Sequence, residues 1–549
     1  MSGHVIAAVP YTILRSALRL LISQGSVNQK PFVHHVRERL SEAKPDFTPP
    51  LELFPVGSSE ASVVLIDYLA RIRCIFSCKL VEEALPHIVS AKAIWTSGSS
   101  LEASLVKAGG DIIQAIQALK ESDLHATPER ETFLRALLSS MQNCRTYCSA
   151  SGLEYLFNRP ERQARDVLIY MYPHLESEFT VPTASDLIQV DVATHEQNTG
   201  QVESFQLGHF RLPRLFNGFW QLSSPAWGSG TAKEQTRSLV ELVEAGLTAA
   251  DMADHYGDAE LIYGDFRNRL PQAVKSKVFC ATKWCVFKPC SFTPEYVLHM
   301  VKERSRRVGG VVELLQFHWH DYNNKDYLDI LAELVRITKS HPELVSAIGL
   351  CNFDSEHATE VCEHLLKTVG EVGVVSNQVQ FSLFDSRPRK KMADVCDKYS
   401  IKLLVYGTFC GGMLSSKWMA KPVPEIYSAE VGLTPSQRKY LDIILTWSSW
   451  DDFQLLLVTL NDIAQNHGVS LTNVATRWVL QQRGVGAVIV GTRLGMSNRW
   501  KENLKTFGWT LSKEEMASID AVALGKDGEK SDGMLEKLGD CGNEYRAMH

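Results

Sequence analysis

Four side chains fall in the order Asp251, Tyr256, Lys283 and His318. Together they are the types needed to make a tyrosine into a usable proton donor. A phenol with its ordinary pKa of about 10 is a poor acid at neutral pH. A lysine cation beside it favours the phenolate, and a carboxylate keeps that lysine charged. A histidine can hydrogen-bond the oxygen that receives the proton. Taken singly, a lysine or aspartate is more often part of an ordinary ion pair. The set gains meaning from where the surrounding elements put it.

From residue 205 onward, short β-branched runs alternate with helical segments. The strands expected are 215–221, 247–251, 277–283, 312–318, 345–350, 373–380, 402–406 and 487–490. Asp251, Lys283 and His318 end the second, third and fourth of these, and Tyr256 lies in the loop after the second. Thr293, Pro294 and Glu295 supply a capping hydroxyl, a first-turn proline and an acid near the positive end of the dipole, which starts a helix. Gly246 and Gly468 stand where helices stop. Eight strands alternating with helices predict a (β/α)8 barrel, in which active sites form at the C-terminal strand ends. A doubly wound sheet is the competing reading, but no G-x-G-x-x-G opens a helix after the first strand. GAVIVGTR (486–493) lacks the Lys-Ser/Thr ending of a triphosphate-binding loop.

Residues 1–180 read as a separate, mostly α-helical domain, with apolar residues at helical spacing in 12–22, 61–76, 101–119 and 131–141. Pro45, Pro49, Pro50 and Pro55 mark an extended connection. Residues 181–204 read as a linker, 205–524 as the barrel, and 525–549 as a polar, mobile tail. The 549 residues carry a formal net charge of −6, so no general electrostatic pull towards nucleic acid or anionic lipid exists. No apolar run is long enough to span a bilayer.

The 12 cysteines are scattered, as in a protein of a reducing compartment. The cytoplasm is the expected location. A mitochondrial presequence is the alternative for the acid-free N-terminus, which carries Arg15 and Arg19. Cys74 and Cys78, like Cys144 and Cys148, share helix faces, but their spacing is not that of a usual zinc site, and no metal is expected. The helical domain is the expected surface for an oligomer contact or a protein partner.

The motifs ADMADHYGDAELIYG (250–264), VFCATKW (278–284) and LLQFHWHDYN (314–323) resemble the catalytic segments of the aldo-keto reductases. IGLCNF (348–353), SNQVQFSLFD (376–385), VYGTFCGG (405–412) and VIVGTRLGMSNRWKENL (488–504) resemble that family's cofactor-facing segments, in the same order. The resemblance implies NADP(H) as cofactor and a small-molecule carbonyl substrate. It implies Tyr256 as general acid, Lys283 as its tuner, Asp251 as partner of the lysine and His318 as polariser of the carbonyl. Asn352 and Gln378 would bind the nicotinamide carboxamide, and Tyr406 would stack on its ring. Cys351 stands where family members often have serine, a better hydrogen-bond donor. Arg493 would hold the 2′-phosphate, whose geometry suits a guanidinium. Arg499, Glu502 and Asn503 would contact the adenosine end. A cofactor-binding redox sensor or scaffold is the alternative function. Trp220, Trp284 and Trp319 are expected near the mouth, as pocket wall or as packing. The excursion 411–486 is expected to add a lid, a wall or a contact surface.

Overall fold

A computed structural model describes residues 26–42, 60–77, 99–121, 126–179, 187–223, 230–287, 292–424, 433–497 and 499–546, with isolated positions before residue 26. The chain forms two units. One comprises residues 1–184 with 222–233 and 255–258, and the other 185–221, 234–254 and 259–549. Of the segment 12–22 only residues 14, 17, 18 and 21 are described, and the proline-rich stretch and Cys78 of the Cys74/Cys78 pair fall outside the described residues.

The first unit is built from the helices Ser26–Glu42, Val63–Ser77, Ser100–Glu121, Pro128–Ser151 and Asn158–Met171. Thr127 caps the fourth by accepting from the Arg130 N–H, and Gly152, at φ 66°, closes it in the left-handed conformation. Ile112, Ile116, Leu134, Leu138, Met141, Ala164, Val167 and Leu168 recur at helical spacing and bury one shared core. Cys144 and Cys148 are free thiols on one face of the fourth helix.

The second unit is the barrel. Its strands are β1 (Ser204–Leu207), β2 (Phe210–Pro213), β3 (Leu215–Gly218), β4 (Ala249–Asp251), β5 (Phe279–Val286), β6 (Leu314–Trp319), β7 (Ile348–Cys351), β8 (Val374–Gln380), β9 (Lys402–Tyr406) and β10 (Val485–Gly491). Strands β3 to β10 close in sequence order, all parallel, with β10 pairing β3 from Val488↔Leu215 to Gly491↔Gly218. This is the (β/α)8 barrel rather than the open sheet.

β1 and β2 form an antiparallel hairpin that the sequence reading does not contain. Leu207 and Leu212 join Ala249, Phe279, Leu314 and Ala487 in one cluster near the starts of the barrel strands, so the hairpin floors the end opposite the C-terminal strand ends. Gly486 permits this: a Cβ there would lie 2.2 Å from the Phe205 ring.

The linker and the tail differ from expectation. Within 181–204, residues Val192–Thr199 form a helix capped by Asp191, and the buried His195 bonds the Val243 carbonyl through Nδ1 at 2.7 Å. The expected mobile tail instead holds the helices Glu529–Leu538 and Asn543–Arg546. Its low apolar content is offset by directed polar contacts. Buried Arg387 donates to Asp385 Oδ1 at 2.7 Å and to Glu544 Oε1 at 2.9 Å. Within the excursion, Trp450–His467 packs on Leu471–Leu480 and Lys513–Ala523, as part of the outer helical layer. Among the described residues no helix is long and apolar enough to cross a membrane.

Candidate active site

Strand alternation decides which side chains enter the barrel. Ala249, Ala281, Leu314 and Leu404 belong to the interior cluster. Side chains two or four positions further along each strand share their face. That places Asp251, Lys283, Gln316, His318 and Tyr406 on the interior, towards the C-terminal strand ends. β8 reaches the same result through a bulge. Between Ile348 and Leu350 on β7, the partner positions on β8 advance from Val374 to Asn377. The extra residue re-aims Gln378 inward.

These residues meet. The Lys283 ammonium donates to Asp251 Oδ2 at 2.6 Å and to the Met252 carbonyl at 2.8 Å. Asp251 Oδ1 accepts from Gln316 Nε2 at 2.8 Å and from Gln378 Nε2 at 2.7 Å. All four side chains are buried. An uncompensated charge at such depth is costly, and here each charge is paired and hydrogen-bonded. Gln316 is absent from the sequence reading. Its signal was available, as a polar residue in an apolar strand at the same parity as His318.

His318 is buried on this interior face, opposite Cys285 in register, with its ring centroid 5.4 Å from that of Phe287. Tyr256 occupies the turn that leaves β4 and is half-buried, with its ring centroid 4.7 Å from that of His255. The start of that turn is pinned: Asp254 Oδ2 accepts from Arg304 Nη2 at 2.5 Å and from the Cys285 N–H at 3.1 Å.

The cofactor-facing candidates form two further groups. Asn352, in the left-handed region at φ 59°, donates its N–H to the Gln378 carbonyl at 2.8 Å. Asparagine tolerates that conformation better than most residues. Its Oδ1 accepts from the Tyr406 hydroxyl at 2.9 Å. Burial pushes the Tyr406 hydroxyl well above its usual pKa. Burial also pushes the neighbouring Cys351 thiol up to about 12, against the pull of Lys283. Gln378 thus reaches the Asp251 cluster, while Asn352 and Tyr406 pair with each other.

The third group follows β10. Arg493 is half-buried and bridges to Ser497 through the backbone; Arg499 is exposed; Glu502 and Asn503 lie on the short helix Trp500–Leu504. Lys505 and Glu502 pair at 3.0 Å.

Trp284 and Trp319 are not pocket walls. Each is one position out of phase with Lys283 and His318, so each faces the helical layer. Trp284 packs against Tyr296 and Phe317, and Trp319 stacks on Phe317 and donates to the Asp321 carbonyl. Trp220 is 39% exposed.

The barrel with a buried lysine–aspartate pair at its C-terminal strand ends defines the class of protein. Residues 214–524 match the model of the aldo/keto reductase family, and the chain belongs to that family. Pyridoxal reductase of Arabidopsis thaliana is 25% identical over 342 residues, covering 60% of this chain and 87% of its own. Flagellar radial spoke protein 5 of Chlamydomonas reinhardtii is 28% identical over 207 residues, covering 35% of this chain; the chain spans 37% of that relative's length. L-glyceraldehyde 3-phosphate reductase of Escherichia coli K12 is 22% identical over 331 residues, covering 56% of this chain and 88% of its own. Among solved structures, the thermostable aldo-keto reductase Tm1743 aligns at TM-score 0.44 and 21% identity, over 58% of this chain and all of that one.

Proposed function

We propose that the protein is an NADP(H)-dependent oxidoreductase that reduces an aldehyde or ketone to the alcohol, with Tyr256 as general acid. The observation that carries this reading is the buried Lys283–Asp251 pair, at the strand end from which the Tyr256 turn departs. Family membership supports the reaction class.

The residues present suit a dinucleotide. Gln378 lies two residues before the end of β8, and Asn352, Tyr406 and Arg493 stand at or just beyond the ends of β7, β9 and β10, all neighbours in the barrel. Amides suit the carboxamide, the Tyr406 ring suits a flat heteroaromatic ring, and Arg493 with Arg499 suits a phosphate. Glu502 and Asn503 complete the adenosine end. When bound there, reduced nicotinamide would supply the hydride for a carbonyl carbon. The developing alkoxide takes its proton from the Tyr256 hydroxyl. Lys283, held charged by Asp251, stabilises the phenolate left behind, and His318 hydrogen-bonds the carbonyl oxygen and orients the substrate. The buried free thiols fit a reducing compartment such as the cytoplasm.

The test is NADPH consumption across a panel of aldehydes and ketones, with Tyr256→Phe alongside. Steady turnover that falls by about 100-fold or more in the variant, with NADPH binding intact, is expected. Equal turnover in both proteins rejects Tyr256 as the acid.

A second reading, a cofactor-binding sensor or scaffold with a protein partner at the helical unit, draws on the likeness to a radial spoke protein. Slow single-turnover oxidation with tight cofactor retention would favour it.

A further inference from the structure

The turn His255–Asp258 leaves β4 but folds as part of the helical unit, together with residues 222–233. Its last residue, Asp258, is fully buried. Arg159 on the helix Asn158–Met171 donates to Asp258 Oδ1 through Nε at 2.9 Å and through Nη2 at 2.7 Å. The same Nη2 donates to the Leu222 carbonyl at 2.8 Å. Arg162, one helical turn on, donates to Asp258 Oδ2 at 3.4 Å. Gly257, between Tyr256 and Asp258, has φ 62°, and a Cβ there would lie 3.0 Å from Ile113 Cγ2 of the helix Ser100–Glu121. Two helices therefore hold the turn, one by charge and one by close contact at a glycine.

A buried ion pair adds little net stability compared with a well-packed apolar pair; what it supplies is a fixed geometry. A proton donor needs such geometry, because displacement by about 1 Å can cost about 100-fold in rate. We propose that Arg159 and Arg162 are positioning residues for Tyr256. Through Asp258 the helical unit grips the turn that carries the tyrosine and sets where its hydroxyl is held. This assigns a role in the reaction to the helical region, and it rests on Tyr256 being the proton donor.

The test uses the full-length protein with Arg159→Ala, Arg159→Lys and Asp258→Asn. Per folded molecule, kcat is expected to fall by about tenfold or more in Arg159→Ala and Asp258→Asn, with KM and NADPH affinity within about twofold. The alkaline limb of the kcat profile moves up in pH, and Arg159→Lys recovers part of the loss. Hydrogen exchange across 252–258 quickens while the barrel strands stay protected. Wild-type kcat and pH limb in both Arg159→Ala and Asp258→Asn overturn the proposal; if the alanine variant does not fold, the lysine and asparagine variants decide. Full turnover in Tyr256→Phe instead overturns the proton-donor reading, while exchange across 252–258 still reports whether Arg159 holds the turn.

Discussion

The Lys283 ammonium lies 2.6 Å from Asp251 Oδ2, with both side chains at most 5% exposed. Removing one charge leaves the other buried without its counterion. Asp251→Asn should lower stability by about 3–5 kcal/mol in urea unfolding and reduce kcat well beyond what unfolding explains. A stability loss below about 1 kcal/mol would mean that the pair is solvated in the working protein.

Arg493 follows β10 in the segment proposed to meet the adenosine end. A charge-assisted bond to a phosphate contributes about 1.5–3 kcal/mol. Arg493→Ala should therefore weaken NADPH by about 10- to 100-fold and leave NADH nearly unchanged. Fluorescence titration with both cofactors checks this, and equal losses would remove Arg493 as the reader of the 2′-phosphate.

Trp284 is buried among Tyr296, Phe317 and Arg304, and it faces away from the barrel interior. Trp284→Ala should cost about 3–5 kcal/mol of stability and leave KM within about twofold for every substrate. A selective change in KM would return Trp284 to the pocket wall.

Alkaline pH should destabilise the fold through its thiols. Burial pushes Cys351, Cys362, Cys396 and Cys410 up to about 12. An unfolded thiol ionises near pH 8.5 to 9. Above that range the unfolded chain binds fewer protons than the native one, so stability falls as pH rises; the contribution is whole below about pH 8. Each thiol adds about 1.4 kcal/mol per pH unit to the loss between the two values. Urea unfolding at pH 8, 9 and 10 measures the slope, and Cys396→Ser should lower it by about one proton. An unchanged slope would exclude that thiol.

The barrel was legible because strand, helix and strand alternate with clear caps, and because polar residues stand at the ends of apolar strands. Asp251, Lys283 and His318 face the barrel interior towards the C-terminal strand ends, where that pattern put them. Gln316 was overlooked because it sits within a strand rather than at its end, although its parity matches His318. The same parity would have separated Trp284 and Trp319 from the mouth. The inward turn of Gln378 depends on a bulge in β8, which side-chain alternation alone cannot reveal. The tail was misread because its order comes from partners far away in sequence, Arg387 above all, and composition carries no record of them. The turn 255–258 was assigned to the barrel by chain continuity, whereas Gly257 and Asp258 meet the helices Ser100–Glu121 and Asn158–Met171.

The tail also bears on how the protein is made. Arg546 donates to the Asn352 carbonyl at 2.7 Å, and Tyr545 stands beside Tyr406 with ring centroids 6.3 Å apart. The residues proposed to hold the nicotinamide thus acquire these neighbours only once the segment beyond Leu524 has been made. A gene fragment cut at Leu524, where the family match ends, would encode all eight barrel strands and still leave Arg387 and Asn352 without these contacts.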